Sequence, residues 1–272
     1  MPAWSPSTSL RVTPVTTARN IVAADWAMVR AVATGSAADF IPPRPTLTKL
    51  RKAAACCRGC DLWVNATQTV FGEGPAGAPA FFVGEQPGDQ EDRVGRPFVG
   101  PAGRLFDEAL KSAGLDRGMV YVTNAVKHFK FVRQELSKRR LHKKPNAAQV
   151  RACKPWLQEE LRLVKPKIVV ALGSTAAQAL LGAGFRITQH RGEVVESEWA
   201  GPVIPTVHPS SVLRAPDDLR AQARREFFRD VEKVAEYIRS VASGNTSRVR
   251  NTSRTRNTSR ARSTSYRAKR GT

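Results

Sequence analysis

Five groups of residues in this chain have types and spacings that could do chemistry. Cys57 and Cys60 stand three positions apart, so two thiolates can reach one metal, and Cys153 lies far downstream beside Pro155 and Trp156. Three thiolates want a fourth ligand for zinc or a four-iron cluster. Of the four histidines, His128, His142, His190 and His208, the first is the best candidate, because it follows an apolar run and precedes Cys153. Cys56 could replace Cys57, although the spacing favours Cys57, and free buried thiols are the plain alternative. The second group fills residues 84–100. Gly84-Glu85-Gln86-Pro87-Gly88-Asp89-Gln90-Glu91-Asp92 leads to Gly95-Arg96-Pro97-Phe98-Val99-Gly100. This stretch carries more functional groups than a connector needs. The third is Asn124, which closes an apolar run and offers one acceptor and two donors to the polar edge of a ligand; an Asx turn is the commoner use. The fourth is His208-Pro209-Ser210, with Arg214 behind it. A histidine there can donate to an oxyanion developing on a leaving group, or simply cap a turn. The fifth is His142, flanked by Lys138, Arg139, Arg140, Lys143 and Lys144. These cations can form a solvated loop or contact phosphates. Like charges also disfavour imidazolium, and a neutral imidazole is a nucleophile that could attack a sugar carbon.

These groups must be carried by elements that bring them together. Short apolar runs over 80–83, 119–126, 167–172 and 203–207 predict buried strands, with a peripheral strand over 193–196. Helical patterns over 47–55, 101–113, 146–164, 174–182 and 218–241 alternate with them, with Asn146 as the N-cap of the third. Alternation of this kind predicts an α/β fold with a parallel sheet. A strand that breaks into a Gly-rich loop and then a helix is how such folds build sites at the carboxyl edge of the sheet.

Bulk composition narrows the partner. Among 272 residues, 44 are basic and 23 acidic, for a net charge of +21. Residues 244–272 hold nine of the basic residues and no acidic ones, so the body without them still carries +12. A polyanionic partner, most simply nucleic acid, follows. No apolar run is long enough to cross a membrane, and no apolar leader is evident at the N-terminus. Residues 1–40 read as a poorly ordered extension, with one candidate helix over 21–32. Residues 243–272 repeat Asn-Thr-Ser-Arg blocks, too polar to offset their ordering entropy, and read as a disordered basic arm.

Taken together, these motifs resemble the uracil-DNA glycosylase superfamily. Gly84-Glu85-Gln86-Pro87-Gly88, with Glu91-Asp92 and Gly95–Gly100, is similar to the first motif of the iron–sulfur (family 4) branch, and His208-Pro209-Ser210 to the second. Gln86, where family 4 usually has Ala, and Lys138-Arg139-Arg140-Leu141-His142 are similar to the UdgX group, with Leu141 for the usual Ile. His128 stands where family 4 has a cluster cysteine. The resemblance covers about residues 40–242. It implies a three-layer αβα fold around a central, mostly parallel four-stranded sheet. It implies that Cys57, Cys60, His128 and Cys153 hold a structural [4Fe–4S] cluster. By the same resemblance Phe98 stacks on a flipped uracil, Asn124 reads its edge, and Gly84, Gln86 and Asp89 line the pocket. His208 stabilises the departing uracil anion. Glu85 orients His142 or stabilises the sugar cation, and His142 traps C1′ covalently. Lys138, Arg139, Arg140, Lys143, Ser210 and Arg214 meet the DNA backbone. The expected partner is uracil-containing DNA, preferably single-stranded, engaged by a monomer in the bacterial cytosol or nucleoid. Two other readings remain at this point: a conventional multiple-turnover family 4 enzyme, and a basic nucleic-acid-binding protein without catalysis.

Overall fold

The computed structural model of the chain describes residues 35–134 and 139–244. Most of the expected N-terminal extension with its helix over 21–32, nearly all of the basic repeat arm, and Lys138 lie outside the described residues. A 3₁₀ turn at Ala37–Phe40 precedes α1 (Leu47–Ala54), and a second at Asp61–Val64 precedes β1 (Ala80–Gly84), α2 (Asp89–Val94) and α3 (Pro101–Ser112). A third turn at Arg117–Met119 leads to β2 (Tyr121–Asn124), β3 (Phe131–Arg133), β4 (Arg140–His142) and α4 (Ala147–Val164). The chain continues through β5 (Ile168–Leu172), α5 (Ser174–Leu181), α6 (Ile187–His190), β6 (Val195–Ser197), β7 (Gly201–Thr206), α7 (Pro209–Leu213) and α8 (Asp217–Ala242).

The main sheet has the order β2-β1-β5-β7-β6. Its first four strands run parallel, and β6 adds an antiparallel edge. The four expected core strands are therefore the parallel ones, and the expected peripheral strand is the fifth. Strands β1 and β5 are buried along their whole length, which is why they read as unbroken apolar runs rather than alternating ones. Side-chain alternation sends Phe82, Val122, Val170 and Ile204 to one face, under Leu105 and Phe106 of α3 and Phe227 and Val231 of α8. Phe81, Val83, Tyr121 and Val169 go to the other, under Leu157 and Leu161 of α4 and Ala177 and Leu180 of α5. Two helical layers around one sheet make the three-layer αβα architecture.

Helix α4 begins where the sequence places it. Asn146 accepts from the Gln149 amide at 2.8 Å, and the Gln149 side chain accepts from the Asn146 amide at 2.9 Å, so two orphan donors are satisfied reciprocally. Three segments depart from the expected pattern. Residues 89–94, expected as loop, form α2 because Glu91 accepts from the Gly88 amide at 3.1 Å and from the Gly100 amide at 2.7 Å, closing both ends of the turn. The expected basic loop around residue 140 is half of a hairpin, with Phe131 opposite His142 and Arg133 opposite Arg140. Order also starts before residue 41: Ser36 caps the Ala37–Phe40 turn, and Ala37 packs with Leu50 and Cys57.

Helix α8 reaches the core chiefly through Phe227, Val231, Val234 and Ala235. Truncating the largest of these leaves a cavity that the rigid sheet cannot fill. Phe227→Ala is expected to cost about 3–5 kcal/mol in urea denaturation, against less than about 0.5 kcal/mol for the exposed Arg225→Ala.

Candidate active site

Strand order reverses between β1 and β5: the chain leaves β1 to one side for β2, then crosses to the other for β5. Ligands of open α/β sheets bind at the carboxyl ends of the strands beside such a reversal. A cavity of about 860 Å³ opens there, lined among others by Glu85, Phe98, Asn124, Gly173, His142 and His208.

The floor is set by close approach. Asn124 ends β2 opposite Gly84 in the parallel register. A Cβ on Gly84 would come within 2.4 Å of the Asn124 Oδ1 and 2.7 Å of the Phe98 ring, so only glycine lets the amide and ring converge. Asn124 is 2% exposed, and its Oδ1 is a buried acceptor with no protein partner. Buried polar atoms are nearly always satisfied, so an orphan facing a cavity points to a ligand donor. Phe98 has a φ of +56°, a strained left-handed conformation for an aromatic residue. It is held by close backbone contact with α3, where a Cβ on Gly103 would meet the Phe98 carbonyl oxygen at 1.9 Å. Its ring lies 5.9 Å from the His208 ring at 29°.

His208 caps α7, its Nδ1 accepting from the Ser210 amide at 3.2 Å. That acceptor role leaves the ring proton on Nε2. Burial first, then Arg214 and His142, push the His208 pKa down to about 4, so the ring is neutral at physiological pH. On the opposite wall, His142 Nε2 lies 3.3 Å from the Glu85 Oε1. The other oxygen of Glu85 accepts from the Thr175 hydroxyl at the start of α5. The His142 pKa is lowered, chiefly by burial and also by Arg214, while Glu85 works the other way. The shift has the direction expected from the sequence, with burial and Arg214 as its causes.

One expected role meets a different arrangement. Arg140, expected at the DNA backbone, points inward. Its guanidinium binds Asp89 and lies 2.6 Å from the Asp92 Oδ2, and only 8% of the side chain is exposed. Burial opposes ionisation of Asp89, but the hydrogen bonds from Arg93 and Arg140 outweigh it and hold its carboxyl below the usual range. Asp89, expected to line the pocket, lines the cavity and is also half of a clamp that ties the hairpin to α2. Gln86 strengthens the same clamp, donating to the carbonyls of Lys130 and Lys143 at 3.1 Å each and accepting from the Lys130 amide at 3.1 Å. Arg139 and Arg214 line the cavity mouth, and Lys143 is exposed beside it.

The cysteines gather behind this site. Cys57, Cys60 and Cys153 are all buried and share a cluster with Trp156, Phe71 and Val126. Trp156 Nε1 and the Lys127 amide each donate to a thiol sulfur at 3.3 Å, on Cys57 and Cys153 respectively. Burial raises the thiols of Cys60 and Cys153, to about 11 and about 12, and the neighbouring thiols add to the rise. His128 Nε2 sits 2.8 Å from the Thr69 hydroxyl, which itself donates to the Ala54 carbonyl. Thr69 must then accept from Nε2–H, leaving the lone pair on Nδ1. Fixing the tautomer through the other ring nitrogen is the usual preparation of a histidine ligand. Among the described residues no three such groups converge as a single ion would require. A four-iron cube instead spaces its ligands at its corners, and three buried thiols with amide and indole donors suit it.

The pattern described as the uracil DNA glycosylase superfamily matches residues 71–232. The chain belongs to that superfamily. It is similar to the type-4 uracil-DNA glycosylase of Thermotoga maritima, at 37% identity over 67% of this chain and 90% of that protein. It is similar also to those of Sulfurisphaera tokodaii, at 33% over 70% and 84%, and Pyrobaculum aerophilum, at 35% over 68% and 91%. These relatives place the chain on the type-4 branch.

Within this uracil-DNA glycosylase fold, Glu85, Gln86, Phe98, Asn124, His142, Ser210, Arg214 and His208 meet at one cavity. Sequence reasoning missed Thr175, Glu91 as a loop fastener and Asp92 as an Arg140 partner. Only the last two carry a sequence signal, an acid three or four residues past a glycine. The pH dependence follows from His208. Its folded pKa lies below the unfolded value near 6.5, so the unfolded chain binds more protons between pH 6.5 and about 4. Stability is full above pH 6.5 and falls as the pH drops toward 4. His208→Gln is expected to flatten that fall, measured as thermal midpoint against pH.

Proposed function

We propose that this chain excises uracil from DNA by the chemistry of its type-4 relatives. The observation that carries the reading is the orphaned Asn124 Oδ1 beside Phe98 in a cavity of about 860 Å³. The target base leaves the stack and enters the cavity, at least cost in single-stranded DNA, which we take as the preferred substrate. Phe98 stacks on the ring. Asn124 Oδ1 accepts from uracil N3–H, and its amide donates to O4. Cytosine, with an acceptor at N3 and a donor at C4, reverses both and leaves buried groups unpaired.

The bond between N1 and C1′ breaks with its electron pair on the base. Charge spreads from N1 to O2, where the neutral His208 donates Nε2–H to the developing anion. The sugar becomes an oxocarbenium-like cation at C1′, which the Glu85 carboxylate stabilises. Arg139, Lys143, Ser210 and Arg214 hold the flanking phosphates, with salt-dependent affinity. Cys57, Cys60, Cys153 and His128 Nδ1 are proposed to hold a [4Fe–4S] cluster. That group supplies a structural brace between α1, α4 and the end of β2, and no electron transfer in the excision.

The relatives favour water as the group that quenches C1′, with release of product and turnover. One observation favours a second outcome. His142 is neutral, faces the cavity and has its Nε2 3.3 Å from the Glu85 Oε1. A ring nitrogen could attack C1′ with its lone pair while Glu85 takes the proton from the other, leaving protein joined to the abasic site as in the UdgX group.

A denaturing gel with a uracil-bearing single-stranded oligonucleotide, against cytosine and thymine controls, tests both outcomes. Alkali-labile sites specific to uracil are expected, and none at all would contradict the proposal. A gel-shifted band lost in His142→Ser, with excision retained, assigns capture to His142; its absence leaves water. His208→Ala is expected to slow excision by about a hundred- to a thousandfold.

A further inference from the structure

Lys127 is a lysine with no exposure at all. Its ammonium has three protons and three partners: the Glu160 Oε2 at 2.5 Å, the Thr123 Oγ1 at 2.5 Å and the main-chain carbonyl of Asn124 at 2.8 Å. Glu160, also fully buried, accepts in turn from the Gly72 amide at 3.1 Å, the Tyr121 hydroxyl at 3.1 Å and the Thr123 hydroxyl at 3.0 Å. The backbone amide of the same Lys127 donates to the Cys153 sulfur at 3.3 Å.

Burying an ion pair is costly, and apolar residues of like volume would hold a core at least as well. A purely structural pair would have no reason to sit where this one does. It grips the peptide that follows Asn124, the last residue of β2. The next two amides, of Ala125 and Val126, donate to the carbonyls of Gly84 and Glu85 at 2.9 and 3.0 Å. The turn is thus pinned to the cavity floor on one side and to the thiol pocket on the other.

We propose that Lys127 is a positioning residue for base recognition: its ammonium fixes the peptide plane of Asn124, so that Oδ1 faces the base, and its amide ties that plane to the cysteine pocket. Glu160 keeps the ammonium compensated and contributes no direction to Asn124. The inference rests on Asn124 reading the base. A displacement of about 1 Å at such a group costs about a hundredfold in rate.

Three variants separate positioning from stability. Lys127→Met and Glu160→Gln each leave an uncompensated buried partner, so both lower the thermal midpoint. Only Lys127→Met removes the hydrogen bond to Asn124. The double variant leaves no lone charge and recovers stability without recovering that bond. Each is assayed as the full chain for thermal midpoint, visible absorbance of the iron–sulfur chromophore, and single-turnover excision of uracil, with cytosine as competitor. Lys127→Met and the double variant are expected to lose about tenfold to a hundredfold in uracil excision and to discriminate less against cytosine, with the chromophore intact. Glu160→Gln is expected to excise at the wild-type rate. If the double variant is stable and excises normally, or if Glu160→Gln loses as much as Lys127→Met, the inference is overturned. Asn124→Ala runs beside them: normal excision there would overturn the reading of Asn124 itself, whereas loss there with a normal double variant overturns Lys127 alone.

Discussion

The pocket depends on one constraint, the parallel register that sets Gly84 of β1 opposite Asn124 of β2. A slip by one residue would turn every side chain of β1 to the other face. Phe81 and Phe82, now in separate helical layers, would exchange layers, and the glycine would no longer face the amide. With the register fixed, the carboxyl ends of β1, β2, β5 and β7 open on the same side. The residues at or just past those ends, Glu85, Asn124, Gly173 and His208, then become neighbours without being close in sequence.

On that frame the loops are fastened by buried acids rather than by apolar packing. Glu91 closes the turn between Gly88 and Gly100, and Asp92 accepts from the Thr67 amide at 3.0 Å and from Arg140. Glu160 gathers four donors behind β2. Each acid is satisfied, so each specifies a position as well as offsetting its own desolvation. The same economy explains the two neutral histidines. His142 and His208 face one cavity with Arg214 beside both, and burial together with that nearby cation lowers both pKa values. A neutral donor suits a leaving anion, because a hydrogen bond can strengthen as charge develops without a full proton transfer.

Much of this is legible in the sequence. Strands β1, β5 and β7 are continuous apolar runs because both faces are covered, and α4 carries its own cap in Asn146. The spacing of the three thiols marks them, with His128, as candidate ligands, and the three thiols do share one buried cluster. What escaped was short or long-range. The β3–β4 hairpin has three-residue strands rich in charge, and it holds its place through Gln86 and Arg140 rather than through strand propensity. No local pattern joins Thr175 to Glu85, 90 residues apart, or Lys127 to Glu160, 33 apart. The inward turn of Arg140 was unreadable because a run of cations looks like a solvated face until its aspartates arrive from elsewhere.

The claim at the centre of this account is that Asn124 reads the base, with Phe98 beneath it and His208 at its O2. A crystal structure of the protein with free uracil tests it most directly. Expected is a uracil ring on Phe98, N3 within hydrogen-bond distance of the Asn124 Oδ1, about 2.7–3.2 Å, and O2 facing the His208 Nε2. Uracil bound away from this floor, or seated there with the Asn124 amide turned aside, would contradict it.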